Sequence, residues 1–172
     1  MILWFLPATA WGAYISALGS TGMMMQPTSS YFHLVYGGVV ETGIDSQKLV
    51  MRLGYLERPA FKVAGFSDQE FASYGLIGTT AYSGRRTALL ALVGWGEASG
   101  IVERDPAPSS IGGRRRYSLP GPAVNVTYRI EWKGLVVALA HQIIVGFGDV
   151  NQTNAFVVWP FSFVLIDLGW KF

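Results

Sequence analysis

The sequence predicts an all-β fold, an eight-stranded antiparallel up-and-down transmembrane β-barrel, on three observations. Apolar residues make up 51% of the 172 and charged residues only 14%, against roughly 25% charged in an ordinary soluble domain. Twenty-one glycines interrupt the apolar runs, which disfavours helices. Apolar and polar residues alternate with a period of two along eight segments, which is the periodicity of strands.

Length agrees with periodicity. A spanning helix needs about 20 mostly apolar residues and a spanning strand about 9–11. The longest stretch without a charge, residues 1–40, is broken by Pro7, Gly12, Gly19, Gly22 and Pro27. The later uncharged runs, 135–148 and 155–166, are short for helices and comfortable for strands. A lipocalin-like soluble barrel or a sandwich would turn the apolar parity inward and the charged parity to water, and the low charge argues against both. With no cysteine there is no disulfide scaffold, cysteine metal site or thiol nucleophile. Thirteen basic against 11 acidic residues leave little surplus for nucleic acid. His33 and His141 form no metal spacing, and no cofactor motif is present.

The first segment, 10–19, carries Tyr14 and Ser16 on the inward parity and Trp11 on the outward one. The second, 31–42, sends His33 and Glu41 inward and Phe32 outward. The third, 48–57, sends Arg52 inward and Tyr55 outward. The fourth, 71–83, places Tyr74 and Tyr82 outward. In the fifth, 87–99, Leu90 and Leu92 point inward and Trp95 outward. The sixth, 123–133, alternates most cleanly: Val124, Val126, Tyr128, Ile130 and Trp132 against Asn125, Thr127, Arg129, Glu131 and Lys133. The seventh, 135–148, has an apolar outward set interrupted by His141, with Gln142 inward. The eighth, 155–172, keeps Asp167 and Lys171 on the inward parity with Trp159, Phe161 and Phe163.

The connections alternate in length. Residues 43–47, 84–86 and 133–134 are short, 20–30, 58–70 and 100–122 are long, and 149–154 is intermediate. Short turns at one rim and long loops at the other are the asymmetry of an outer-membrane barrel. An even strand count puts both termini at the short-turn rim. The outward aromatics then form two girdles: Trp11, Tyr82, Trp132, Trp170 and Phe172 below, and Phe32, Tyr55, Tyr74, Trp95, Phe147 and Phe156 above.

The chain ends Val164-Leu-Ile166-Asp-Leu168-Gly-Trp170-Lys-Phe172, a terminal aromatic preceded by apolar residues at alternate positions. This resembles the C-terminal signal of bacterial outer-membrane barrels, and strand count and loop pattern are similar to the small barrels of the OmpA/OmpX type. The resemblance implies integral placement in a bacterial outer membrane, contact with its lipid, and Leu168, Trp170 and Phe172 as the signal read by the barrel assembly machinery. Residues 10–172 form the barrel. Residues 1–9, with Ala8-Thr9-Ala10 at their end, read as a periplasmic extension or the remnant of an export signal. Pro160 predicts a bulge or a missing hydrogen bond in the last strand.

Eight strands enclose just enough room for side chains, and buried charges must pair. An interior network of Glu41, Arg52, Arg129, Glu131 and Asp167 follows. Glu131 and Asp167 are expected in one layer, both opposite Val136, with Arg129, Arg52 or Lys133 as partners. The network reads as a packed core holding the barrel shut, with a narrow channel as the alternative. On the lipid face, a symmetric last loop makes pairs summing to 303, setting His141 directly across from Ser162. A hydroxyl beside an imidazole is the minimum for an activated nucleophile. Some eight-stranded barrels deacylate lipid A with a lipid-facing His and Ser two residues apart and a nearby Glu; this sequence has no His-x-Ser. Arg114, Arg115 and Arg116, in the longest loop, are candidates for lipopolysaccharide phosphates, and Met23–Met25 form a soft apolar patch in the first loop. The leading function is therefore non-enzymatic, a membrane anchor or scaffold that binds a partner protein or lipopolysaccharide. A lipid-A-modifying hydrolase is the runner-up.

Overall fold

A computed structural model describes residues 12–25, 32–44, 48–63, 66–104, 113–148 and 157–172. Eight strands follow one another in sequence: β1 (Ala13–Met25), β2 (His33–Ile44), β3 (Leu49–Val63), β4 (Phe66–Ser83), β5 (Thr87–Arg104), β6 (Gly113–Trp132), β7 (Leu135–Gly148) and β8 (Val157–Lys171). Each pairs antiparallel with its chain neighbour, and β1 pairs with β8 to close the barrel. The seam runs from Ser16↔Lys171 to Met25↔Ser162, and Phe172 N donates to Ile15 O at 2.8 Å beyond it. Among the described residues no helix is long and apolar enough to cross a membrane.

The strands climb higher than alternation alone predicts. Most of 58–70 and 100–122, and 20–25, expected as loops, are paired strand. Alternation marks a strand only where one face meets lipid and the other the interior. Beyond the membrane both faces tolerate polar side chains, yet the backbone still satisfies its hydrogen bonds by pairing. Arg114–Arg116 and Met23–Met25 therefore lie on strands, not in loops.

The outer wall is apolar. Ile15, Val40, Leu53, Ile77, Val93, Val126, Leu139 and Ile166 are all exposed. Tyr82, Trp132, Trp170 and Phe172 ring the short-turn rim, and Phe32, Tyr55 and Trp95 stand toward the other; Phe147 is half-buried there. Trp11, Phe156 and residues 1–9 lie outside the described residues. Tyr74 is a correction: it is buried in the interior, not in the girdle. A register shift between Thr80 and Tyr82 inserts one extra residue. Because side chains alternate strictly, one inserted residue exchanges the two faces, so Tyr82 points out and Tyr74 points in.

Inside, Val35, Leu56, Leu90, Leu119, Ile144, Phe161, Phe163 and Leu165 pack across the lumen. Room for the large rings comes from cross-strand glycines. Tyr14 faces Gly43, Tyr74 faces Gly54 and Tyr117 faces Gly100. A Cβ on Gly54 would stand 2.2 Å from the Tyr74 ring. At the β6–β7 corner, Lys133 (φ 49) and Gly134 (φ 89) form a two-residue turn with both φ positive, the arrangement whose twist matches a hairpin. Pro160 causes no bulge: it pairs in register with Val145. It stands above Ser162, the last β8 residue paired with β1, an edge position where a missing N–H is tolerated.

Candidate functional site

In the lower half of the lumen, three carboxylates and three cations form one alternating chain. Asp167 is ion-paired with Arg52. Arg52 Nη1 reaches Glu41 Oε2 at 3.5 Å and donates to Thr127 Oγ1 at 3.3 Å. Glu41 is ion-paired with Arg129. Arg129 Nε stands 2.6 Å from Glu131 Oε1, and Lys171 Nζ 3.2 Å from Glu131 Oε2. Hydroxyls join the chain: Ser20 donates to Asp167 at 2.6 Å, and Tyr14 bridges Arg129 and Glu41 at 3.1 Å to each. Lys171 also lies 4.1 Å from the centroid of the Tyr14 ring. Arg52 and Asp167 are 0% exposed, where an unpaired charge would be prohibitive. Strand geometry sets the chain, since Glu41 faces Arg52 across β2–β3 and Ser20 faces Asp167 across the seam.

All five residues that the sequence assigned to this network lie in it, but their layers differ from the expectation. Val136 faces Glu131 on one side and Gly169 on the other, while Asp167 faces Ala138, which faces Arg129. Asp167 therefore sits one inward step above Glu131 and bonds to Arg52. Lys133 is not a partner; its ammonium stands 5.5 Å from the Trp132 ring centroid, outside. Sequence reasoning missed Ser20, which falls one residue past the end of the predicted strand.

A second ionic cluster, also missed, lies in the upper lumen. Arg58 is paired with Asp68 and, through Nε at 2.9 Å, with Glu70. Its Nη1 lies 3.3 Å from His33 Nδ1, and Tyr117 donates to Glu70 at 2.6 Å. Three of its five members lie between 58 and 70, the stretch expected to be a loop.

On the outer wall, His141 Nε2 and Ser162 Oγ are hydrogen-bonded at 2.8 Å. The register is not the expected one: His141 faces Val164 and Ser162 faces Ile143, so pairs sum to 305 and the contact is diagonal. The other cross-strand neighbours are Val126 of His141 and Met25 of Ser162. No carboxylate is among these neighbours to orient the imidazole, and the ladder occupies the amides that an oxyanion site needs. The arrangement satisfies two polar groups in an apolar wall.

At the upper end of β5–β6, Arg114, Arg115 and Arg116 face Glu103, Val102 and Ile101. Arg116 is exposed. It lies six residues beyond Pro122, the partner of Trp95 in the upper girdle, or roughly 20 Å along the strand. Among the described residues no group of three or more metal-ligating side chains occurs.

No protein-family model and no curated protein matches the chain. Solved structures do. Ail, the attachment invasion locus protein of Yersinia pestis, in complex with the heparin analogue sucrose octasulfate, superposes with a TM-score of 0.62 at 12% identity, covering 93% of this chain and 97% of that one. Neisserial surface protein A superposes with a TM-score of 0.58 at 10% identity, over 94% and 97%. A major outer membrane protein from Thermus thermophilus superposes with a TM-score of 0.50 at 10% identity, over 93% and 99%. The fold of this chain is the eight-stranded outer-membrane barrel.

Proposed function

We propose that this barrel is an integral protein of a bacterial outer membrane, a non-enzymatic anchor whose raised β5–β6 hairpin binds polyanions at the outer surface. The observation that carries this reading is the position of Arg114–Arg116. Three consecutive arginines stand on a paired strand well above the aromatic girdle, held out of the headgroup layer by the barrel beneath. Guanidinium forks match phosphate and sulfate oxygens in pairs. The sulfated sugar bound by Ail, which has the same fold, supports the choice of a densely anionic ligand; phosphorylated lipopolysaccharide offers the same chemistry. The reading is tested by titrating the detergent-solubilised barrel with sucrose octasulfate and with lipopolysaccharide. Saturable binding that weakens with salt, and falls by roughly tenfold or more in an Arg114→Ala/Arg115→Ala/Arg116→Ala variant, supports it. Binding unchanged in that variant contradicts it.

A second reading rests on the 2.8 Å contact between His141 and Ser162: Ser162 as nucleophile and His141 as base in a lipid acyl hydrolase. Loss of lipid A acyl chains on expression, abolished by His141→Ala, would favour it. Unaltered lipid A leaves the pair as a structural hydrogen bond.

A further inference from the structure

We infer that the short-turn mouth of the barrel is a second, separate binding site, for one phosphate-class anion. A cavity of about 280 Å³ opens at this end. Its floor is Arg129, Glu131 and Lys171, the last links of the interior chain, and its wall carries Lys48, Arg85 and Arg86.

The charge balance points to an anion. Within the interior chain the three carboxylates and three cations cancel. Glu131, the one carboxylate among the described residues of the cavity, spends one oxygen on Arg129 and the other on Lys171. Among the described residues of the cavity, Lys48, Arg85 and Arg86 are therefore a surplus of three positive charges around a single concave space. A low-dielectric wall on one side strengthens their field.

The backbone places these cations. Gly84 N donates to Thr87 O at 2.8 Å, closing the β4–β5 turn, and Glu131 N donates to Arg86 O at 2.8 Å, tying the turn to β6. Thr80 N donates to Lys48 O at 2.9 Å. Lys48 keeps a left-handed backbone, φ 54, uncommon for a residue with a side chain. Two guanidinium forks and one ammonium around a space of this size suit a tetrahedral oxyanion, with its oxygens shared among planar donors. Tyr82, Trp132 and Trp170 ring the same rim, which sets lipid headgroups level with the mouth. The phosphate group therefore comes either from a phospholipid headgroup or from a soluble phosphate.

The test follows the arginine Nε–Hε resonances of the barrel in phosphatidylcholine nanodiscs by NMR. If the Arg85 and Arg86 signals shift saturably with inorganic phosphate, the site takes a soluble anion. If they shift when phosphatidylglycerol is added to the disc, and phosphate then adds nothing, it takes a headgroup. In either case Lys48→Gln weakens the interaction by roughly tenfold or more. Glu131→Gln strengthens it by removing a negative charge from the cavity floor. The Arg114→Ala/Arg115→Ala/Arg116→Ala variant leaves it unchanged, so this site and the outer hairpin succeed or fail separately. Signals unmoved by both additions overturn the inference. So does a folded Lys48→Gln barrel that binds as tightly as the original.

Discussion

Arg52 closes the interior: it is fully buried and joins Glu41, Asp167 and Thr127, which come from three different strands. Removing one member of such a chain leaves a charge without its partner. Arg52→Ala or Asp167→Ala is expected to lower stability by about 3–5 kcal/mol, read as an earlier midpoint in urea unfolding followed by tryptophan fluorescence. Gly54 is equally constrained, by space. Any Cβ there meets the Tyr74 ring, so Gly54→Leu is expected to prevent folding, seen as loss of heat-modifiable migration, while Gly54→Leu with Tyr74→Ala restores it. At this scale the sequence was legible wherever parity was undisturbed. Glu41, Arg52 and Arg129 each sit in a clean alternation and point inward as expected. Tyr74 was misread because the inserted residue near Thr80 leaves no mark in composition.

Facing and pairing separate at the scale of the hairpin. The β7–β8 register differs by two residues from the symmetric-loop expectation. A shift of two preserves every side chain's face, whereas a shift of one would reverse them all. His141 and Ser162 were therefore correctly placed on the wall and incorrectly placed directly opposite; the imidazole's reach still closes the diagonal. Since the pair sits among Val126, Val164 and Ile143, its two members are worth more to each other than to the fold. Ser162→Ala alone is expected to destabilise by about 1–3 kcal/mol by orphaning His141. His141→Leu combined with Ser162→Ala is expected to recover most of that loss, a coupling read from a double-mutant cycle. At the β6–β7 corner, Gly134→Val is expected to cost at least about 1–2 kcal/mol, because φ is +89 and a Cβ there would meet Trp170 at 2.8 Å. That turn was legible as a Lys-Gly corner. The upper strand extensions were not, because above the membrane a paired strand carries no alternating pattern to read.

At the scale of the whole molecule, a lumen filled by two ionic clusters and large side chains lies inside a wall of aliphatic residues. Charge is scarce in the sequence because lipid covers half of every strand, and what charge there is concentrates in the lumen and at the two ends. A lumen packed in this way predicts no discrete conductance steps in planar bilayers; steps in the unaltered barrel would mean that the lumen is not shut. The fold's class and strand count were legible because a closed barrel imposes one rule, alternation, on the lipid-facing stretch of every strand. The two proposed binding sites were less so, because they lie at rims where that rule lapses. Alternation fixes the whole arrangement: lipid outside, a packed core with two ionic clusters inside. The chain has no cysteine, so single cysteines along β6 can carry spin labels without background. Labels at Val124, Val126, Tyr128 and Ile130 should be reached by oxygen dissolved in the bilayer, and those at Asn125 and Thr127 should be immobile and protected. Protection with a helical period, or access of a water-soluble relaxant to the first set, would contradict the account.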